Sequence, residues 1–527
     1  MAAEIAATAA RKRPIEPRDI AFLPEELFHM ILSYLDPVDV VRCRRVSRSW
    51  SDAFANPTSL IRILKRTFPR AREVRKLIKD GAFDNPDVTS ESSARFWRKT
   101  FDQVTARYHH LARGKPRSVQ RFKLCGEFYL GSLQFFQVVP WEYHSSNFPD
   151  RGELMFKHAF WTYEDGLVVF PSEEDHSLVL LDLETQETFM VPFILTDKVI
   201  RRIRLQDRVL VIEWAEPEAF HWLNDSESVH RHFATSFDLH KYGRGWDIIC
   251  RNEWKIMFLG HPLGERDRFF SAHSKNYYTI YAWQPNRSLY TADEDAPIES
   301  LFVWDISKPS SYRPSLDPTG RMKETIGDDG PSIIARFSFR ELGFYSVRQR
   351  GSPAIMRLDI NSEADTIDIT EVTYTGSSLG RNNSSYNPLE WTCRVQTTSI
   401  PFIGHGPCWR RDAGVVFPPY RGNSSMEIPP LSLTGHHPWY LGVYEATDAD
   451  AQVSFCLRYS HSSNTSVLEE ERKSSTRRLL VTIRTPLSET TLSDAASAAL
   501  SEKGKICGDE RFVVGESSSG ELVVYRF

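Results

Sequence analysis

The sequence predicts a multidomain α+β chain, with an all-helical N-terminal part reaching to about residue 117 and an all-β propeller of six to eight blades after it. Three observations carry this. Apolar residues recur at helical spacing from Leu23 to Leu111. Beyond Ser118 that period gives way to short apolar strands with a recurring signature. Charge divides at the same place: Met1–Arg117 holds 23 Lys+Arg and 14 Asp+Glu, a net of +9, and the rest of the chain holds 42 and 55, a net of −13. With 527 residues, 41% hydrophobic and 25% charged, the composition is globular and the length suits two to four folding units.

Residues 1–19 read as a flexible tail, and Arg11-Lys12-Arg13-Pro14 as a solvated basic stretch with only a weak likeness to a nuclear-import signal. Order is expected from Ile20. A first helix opens after Pro24, with Leu27, Ile31, Leu32 and Leu35 along one face. Asp36-Pro37 is an N-cap with proline at the first helical position, starting a short helix with Val40, Val41 and Cys43. A third helix runs from about Ser47 through Trp50, Ala53 and Phe54 until Asn56-Pro57. Further helices are expected over 59–68, 72–79 and 94–112, the last with Trp97, Phe101, Val104, Tyr108 and Leu111 in four-three spacing.

The β part repeats. An apolar strand carries an apolar-acidic-apolar signature at Leu181-Asp182-Leu183, Phe237-Asp238-Leu239, Trp304-Asp305-Ile306 and Leu358-Asp359-Ile360, the acids 56, 67 and 54 residues apart. Weaker copies sit at Tyr444-Glu445-Ala446 and Val523–Phe527. Turns such as Asp165-Gly166 and Asp207-Arg208 open neighbouring strands, and Ser460–Thr476 reads as a loop. One blade cannot bury both its faces until neighbours stack around an axis, so this pattern marks a propeller. Six signatures imply six blades, and two long gaps leave room for one or two more. If the last blade ends on its third strand, its outermost strand must come from Val119–Leu124, closing the ring.

The N-terminal residues carry a resemblance. Leu23-Pro24-Glu25-Glu26-Leu27, Ile31-Leu32-Ser33-Tyr34-Leu35-Asp36-Pro37 and Val40–Trp50 with its Val46-Ser47-Arg48-Ser49-Trp50 are similar to an F-box. It departs from many members in having Ser59–Leu64 where a second tryptophan would stand. The resemblance covers residues 20–64, about a tenth of the chain. It implies docking onto the Skp-type adaptor of a cullin–RING (SCF) ubiquitin ligase, with the rest of the chain capturing a protein substrate. Carried over residue by residue, the adaptor contacts are Leu23, Pro24, Leu27, Ile31, Leu32, Leu35, Val46 and Trp50. Leu32, Leu35, Val46 and Trp50 are equally read as internal core. Residues 65–117 become a helical linker and 118–527 the substrate-binding propeller.

The sequence carries no complete catalytic motif. Gly376–Gly380 satisfies G-x-S-x-G, but a polar loop follows where a nucleophile elbow needs a helix. His221, His230, His232 and His240 lack a carboxylate or cysteine at ligand spacing and read as exposed loop histidines, as His109-His110 and His436-His437 read as surface residues. No C-x-x-C, H-E-x-x-H, Walker loop or G-x-G-x-x-G occurs. No enzyme activity, cofactor or metal is expected. The basic run Arg62–Lys79 reads as a solvated surface or a complement to an acidic adaptor complex; without aromatic interleaving it does not point to nucleic acid. The tryptophans of the β part read mostly as blade packing, a few as rim residues, and Arg201, Arg202 and Arg204 as phosphate-binding candidates whose facing is open. Without a long apolar run or a signal-peptide order, and with seven scattered cysteines, the chain is expected to be soluble, free of membrane partners, and cytoplasmic and/or nuclear.

Overall fold

The computed structural model describes residues 20–84, 90–126, 130, 135, 159–225, 227–256, 263–264, 267–284, 298–319, 330–350, 354–376, 391–404, 409–417, 446–461 and 477–527. The tail 1–19, Ser377–Gly380, His436-His437, Tyr444-Glu445 and most of Ser460–Thr476 lie outside them. The chain divides into two compact units, one comprising the chain to Lys115 with Ala449–Gln452 and Phe527, the other comprising Pro116–Asp448 and Val453–Arg526.

Among the described residues the first unit is built from six α-helices: α1 (Glu25–Tyr34), α2 (Pro37–Cys43), α3 (Arg48–Phe54), α4 (Pro57–Thr67), α5 (Arg72–Lys79) and α6 (Glu91–Ala112). Polar side chains start four of them. The Asp36 carboxylate accepts from Val38 N–H, Ser47 Oγ from Trp50 N–H, Asn56 Oδ1 from Thr58 N–H and Ser90 Oγ from Ser93 N–H, each satisfying a donor the helix leaves unpaired. Asn56-Pro57 thus ends one helix and starts the next. Phe28 and Phe54 meet edge to face at 5.0 Å, and Trp50 stacks on Phe54 at 5.4 Å. Phe68 lies against Tyr108, and Phe83 against Trp97.

A buried arginine ties α2 to α6. Arg44 donates from Nε to the Phe54 carbonyl at 3.1 Å and from Nη1 to Asp102, and its guanidinium lies 5.3 Å from the Phe101 ring centre. The ion pair is dry on the arginine side and half-open on the aspartate side. Arg44→Met keeps the length and loses the donors, leaving the Phe54 carbonyl and Asp102 without them. The expected loss is about 2 kcal/mol of stability, read as a lowered denaturation midpoint of the helical unit.

Among the described residues the second unit holds six antiparallel sheets of four or five strands, the blades of a propeller, and one two-stranded ribbon. Blade 1 spans Thr162–Glu164 to Glu187–Met190, blade 2 Val199–Gln206 to Gly245–Lys255, and blade 3 Arg268–His273 to Ser332–Ser338. Blade 4 spans Ile355–Asn361 to Val415–Phe417, blade 5 Ala446–Asp448 to Glu489–Thr491, and blade 6 Cys507–Gly508 to Glu521–Arg526. Blade 6 is completed by Ser118–Lys123, which pairs with Glu521–Arg526 from Ser118↔Arg526 to Lys123↔Glu521. The ring closes with the strand expected to close it.

Each blade carries one copy of the signature, but not on the same strand. Asp182, Asp238 and Asp305 fall on third strands, whereas Leu358-Asp359-Ile360 lies on the first strand of blade 4 and Ala446 on that of blade 5. Among the described residues the long gaps hold no further blade. The third-strand acids have local uses. Asp182 accepts from the N–H groups of Glu184 and Thr185, Asp305 from that of Ser307, and Asp238 pairs with Arg251 on the next strand. At Asp165-Gly166 and Asp207-Arg208 both turn residues have positive φ, the geometry whose twist matches a hairpin.

Neighbouring residues on one strand serve different cores. Leu210 and Ile212 pack toward blade 1, against Leu167, Val169, Leu178 and Leu180. Val209 and Val211 pack toward blade 3, against Phe269, Tyr278, Ile280 and Phe302. Strands buried on both faces read as unbroken apolar runs, which is why Val209–Ala215 shows no alternation.

First strands meet at the axis, where Arg204 of blade 2 reaches Asp359 of blade 4 at 3.4 Å. In a meander that starts at the axis, the connections between second and third strands and those between blades leave from one end. The other end carries mostly tight turns, such as 165–166, 207–208 and 243–244. The first end carries the connection 216–231 of blade 2.

Candidate functional site

On the helical unit the sequence-predicted contact residues fall into two groups. Leu32 is buried with Phe28 inside the helices, and Leu23, Ile31, Leu35 and Trp50 are half-buried. Pro24 is exposed at the start of α1, Leu27 is 48% exposed and Val46 63%.

Beside them stand two residues that sequence reasoning missed, Met30 at 59% and Tyr34 at 87%. Leu27, Met30 and Tyr34 are spaced i, i+3, i+7, so α1 carries an outward apolar stripe in addition to the inward pair Phe28 and Leu32. The spacing was present in the sequence, but an assignment of the apolar residues to one core-facing stripe leaves it unread. The α1 surface is otherwise sparsely charged, with Glu25 and Glu26 confined to its first turn, where they complement the positive end of the helix dipole. The stripe is thus a water-exposed apolar face on a rigid element. The basic run is solvated as expected, with Arg62, Lys65, Arg66, Arg70, Arg72, Lys76 and Lys79 exposed.

On the propeller the arginine cluster is not an open anion site. A bulge between Ile200 and Arg202 turns Arg201 into the blade interior, where Nη1 meets His232 Nε2 at 2.8 Å, Nη2 donates to the Asp267 carbonyl at 2.8 Å, and the guanidinium lies over Phe135 and Phe269. Arg202 donates to Ser271 O and Oγ of blade 3. Arg204 donates to Ser271 O, Gln206 and Asp359, and burial with Arg202 beside it lowers its pKa to about 10. These side chains lace the first strands together. Beside them Glu213, pushed up by burial, accepts from Tyr278 of blade 3 at 3.1 Å.

The histidines correct the sequence reading in part. His221 and His240 are exposed, but His230 and His232 are buried. The reason is the same bulge: Arg201 occupies His232 Nε2, and backbone carbonyls of Glu216 and His230 meet the Nδ1 atoms of His230 and His232. Because arginine always donates, His232 Nε2 accepts and the ring is neutral. No group of three or more metal-ligating side chains occurs among the described residues, and no helix among them is long and apolar enough to cross a membrane. The five cysteines whose side chains are described, Cys43, Cys125, Cys250, Cys456 and Cys507, are free.

His273, buried on blade 3, meets Val209 O through Nε2 at 3.0 Å, and burial together with Arg204 and Arg202 lowers its pKa to about 3; His232 is lowered likewise by burial and Arg201. The unfolded chain binds these protons near pH 6.5 and the folded one does not. Stability is therefore complete above that pH and falls as pH drops below it, for His273 down to about 3, by up to about 1.4 kcal/mol per pH unit per histidine. His273→Gln, whose amide can still donate to Val209, is expected to narrow the stability difference between pH 7.5 and pH 5 by about 2 kcal/mol, read from urea midpoints.

Residues 20–66 match the family model described as F-box-like. No curated protein matches the chain. Among solved structures 34 chains match. One, from a structure described as "Crystal Structure of Mitotic Checkpoint Complex", is 7% identical over 79% of this chain and 96% of that chain, with a TM-score of 0.32.

Proposed function

The chain carries an F-box-like domain followed by a six-bladed β-propeller, and from that premise we propose that it is the substrate-recognition subunit of an SCF-type ubiquitin ligase. The F-box binds a Skp-type adaptor, and through it the cullin–RING assembly, while the propeller binds a protein substrate. The observation that carries this reading is the outward apolar stripe Leu27, Met30 and Tyr34 on α1, with Val46 also exposed, all within the residues that match the family. Contiguous apolar surface of this kind is what a monomer buries against a partner.

The chain itself contributes no bond-making group. It acts by proximity, holding a substrate lysine near activated ubiquitin so that a bimolecular encounter becomes effectively intramolecular. Such a subunit works without cofactor or membrane, in the cytoplasm, the nucleus or both. The test is co-purification of the full chain with a Skp-type adaptor and cullin, followed by ubiquitination of captured proteins with and without the chain. Absence of adaptor binding would sink the reading; adaptor binding without chain-dependent ubiquitination would favour a non-ligase scaffold.

A further inference from the structure

Outside its six blades the propeller folds a small ribbon. Between the second and third strands of blade 2, at the end opposite the tight turns 165–166, 207–208 and 243–244, His221–Asn224 pairs with Glu227–Val229, with His221 opposite Val229 and Trp222 opposite Ser228. Phe220 N–H donates to Val229 O at 2.8 Å and opens it. The return strand is inside, with Ser228 and Val229 buried. The leading strand is outside: Phe220 is 62% exposed, Trp222 59% and Leu223 42%. Phe220 and Trp222, two residues apart, share a face. Among the tryptophans whose side chains are described, Trp222 alone is exposed; Trp97, Trp161, Trp214, Trp254 and Trp304 are buried and the others half-buried. An aromatic pair kept in water on a projecting ribbon has no use in the propeller's own packing.

The surroundings are charged one way. No Lys or Arg occurs from Val209 to His230, whereas Glu216, Glu218, Asp225 and Glu227 flank the apolar residues. Glu216 is paired with Arg231, and Glu218 and Asp225 are exposed. Among the described residues no third strand pairs with the ribbon, so its leading edge presents the N–H and C=O groups that an extended chain takes up.

We propose that this ribbon is where the propeller receives its substrate, and that the segment it takes is an extended stretch of a partner protein with apolar side chains beside Lys or Arg. The apolar side chains pack on Phe220, Trp222 and Leu223, and the basic ones face Glu218 and Asp225. The proposal rests on the receptor reading above.

The test incubates the full chain with an immobilised library of random twelve-residue peptides and sequences those retained. The expected result is enrichment of Lys and Arg next to apolar residues. Retention should fall at least about tenfold in Phe220→Ser/Trp222→Ser with an unchanged melting temperature. A second variant, Glu218→Lys/Asp225→Lys, leaves the apolar residues in place and should shift the selected charge toward Asp and Glu. Retention without basic preference, or retention indifferent to both variants, overturns the proposal. So does a concentration-dependent dimer in light scattering that the Phe220→Ser/Trp222→Ser variant abolishes, which would assign the ribbon to a second copy of the chain. Peptide capture needs no adaptor, so co-purification with the adaptor on the same preparations separates the two readings. Adaptor binding without peptide selection sinks this proposal alone; peptide selection without adaptor binding sinks the receptor reading, and with it the ligase substrate, while the ribbon's choice of basic, apolar segments stands.

Discussion

Truncation after Gly520 is expected to leave no folded propeller. The lost segment includes the third strand of blade 6, with Leu522, Val523, Val524 and Tyr525 all buried. At roughly 2 kcal/mol for each, burial of these four side chains is worth about 8 kcal/mol, comparable with the whole stability of a typical domain, about 5–15 kcal/mol. The loss spreads further. Ser118–Lys123 loses its partner, and Phe512–Glu516 is left with only the short Cys507–Gly508 strand beside it. Trp161, Val168, Phe170 and Leu181 of blade 1 lose the neighbours Leu522 and Val524. Near-UV circular dichroism and a melting curve of the purified truncated chain are the measurements. A soluble protein with a cooperative transition like that of the full chain would refute ring closure as the main lock on the propeller.

Leu27→Asp is expected to abolish adaptor binding while leaving the fold intact. Leu27 already stands half in water, so a charge there costs the isolated chain little, within about 0.5 kcal/mol. In a complex it would sit in a dry apolar contact. Losing the buried leucine, at about 1.5–3 kcal/mol, and desolvating a carboxylate should together weaken binding by at least about 100-fold. Met30→Asp should behave alike, because it lies one turn along the same stripe. Leu32→Asp should differ in kind: Leu32 is buried, so its charge would unfold the helices before any partner is met. Surface-immobilised adaptor titrated with each variant gives the affinities, and far-UV circular dichroism gives the fold. A Leu27→Asp chain that binds like wild type would remove the stripe from the interface.

Much of this was legible before any coordinates. Asp36-Pro37 and Ser47 announce helix starts because a cap needs only a side-chain oxygen within a turn of its donor, whereas Asn56-Pro57 reads as the end of one helix and in the structure also caps the next. The Asp165-Gly166 and Asp207-Arg208 turns are local in the same sense. Other features misled. The signature at Leu358–Ile360 resembles the third-strand copies, yet lies at the axis, since an apolar-acidic-apolar triplet suits any strand with both faces buried. Met30 and Tyr34 were hidden because one helical stripe was enough to account for a core.

Features that rest on neighbours within a few residues are written in the sequence: the helices of the first unit, the Asp36-Pro37 cap, strands apolar at consecutive positions, hairpin turns, and a last blade whose outermost strand comes from Val119–Leu124. Only the tertiary structure decided which charged and aromatic groups are free. Arg204 meets Asp359 across 155 residues, Arg201 silences His232, and Trp222 is left in water while Trp214, eight residues earlier, is buried. Spacing along the chain carries no information about such partners. They are set by which blades the closed ring brings together, and that ring exists only once the first and last strands have paired.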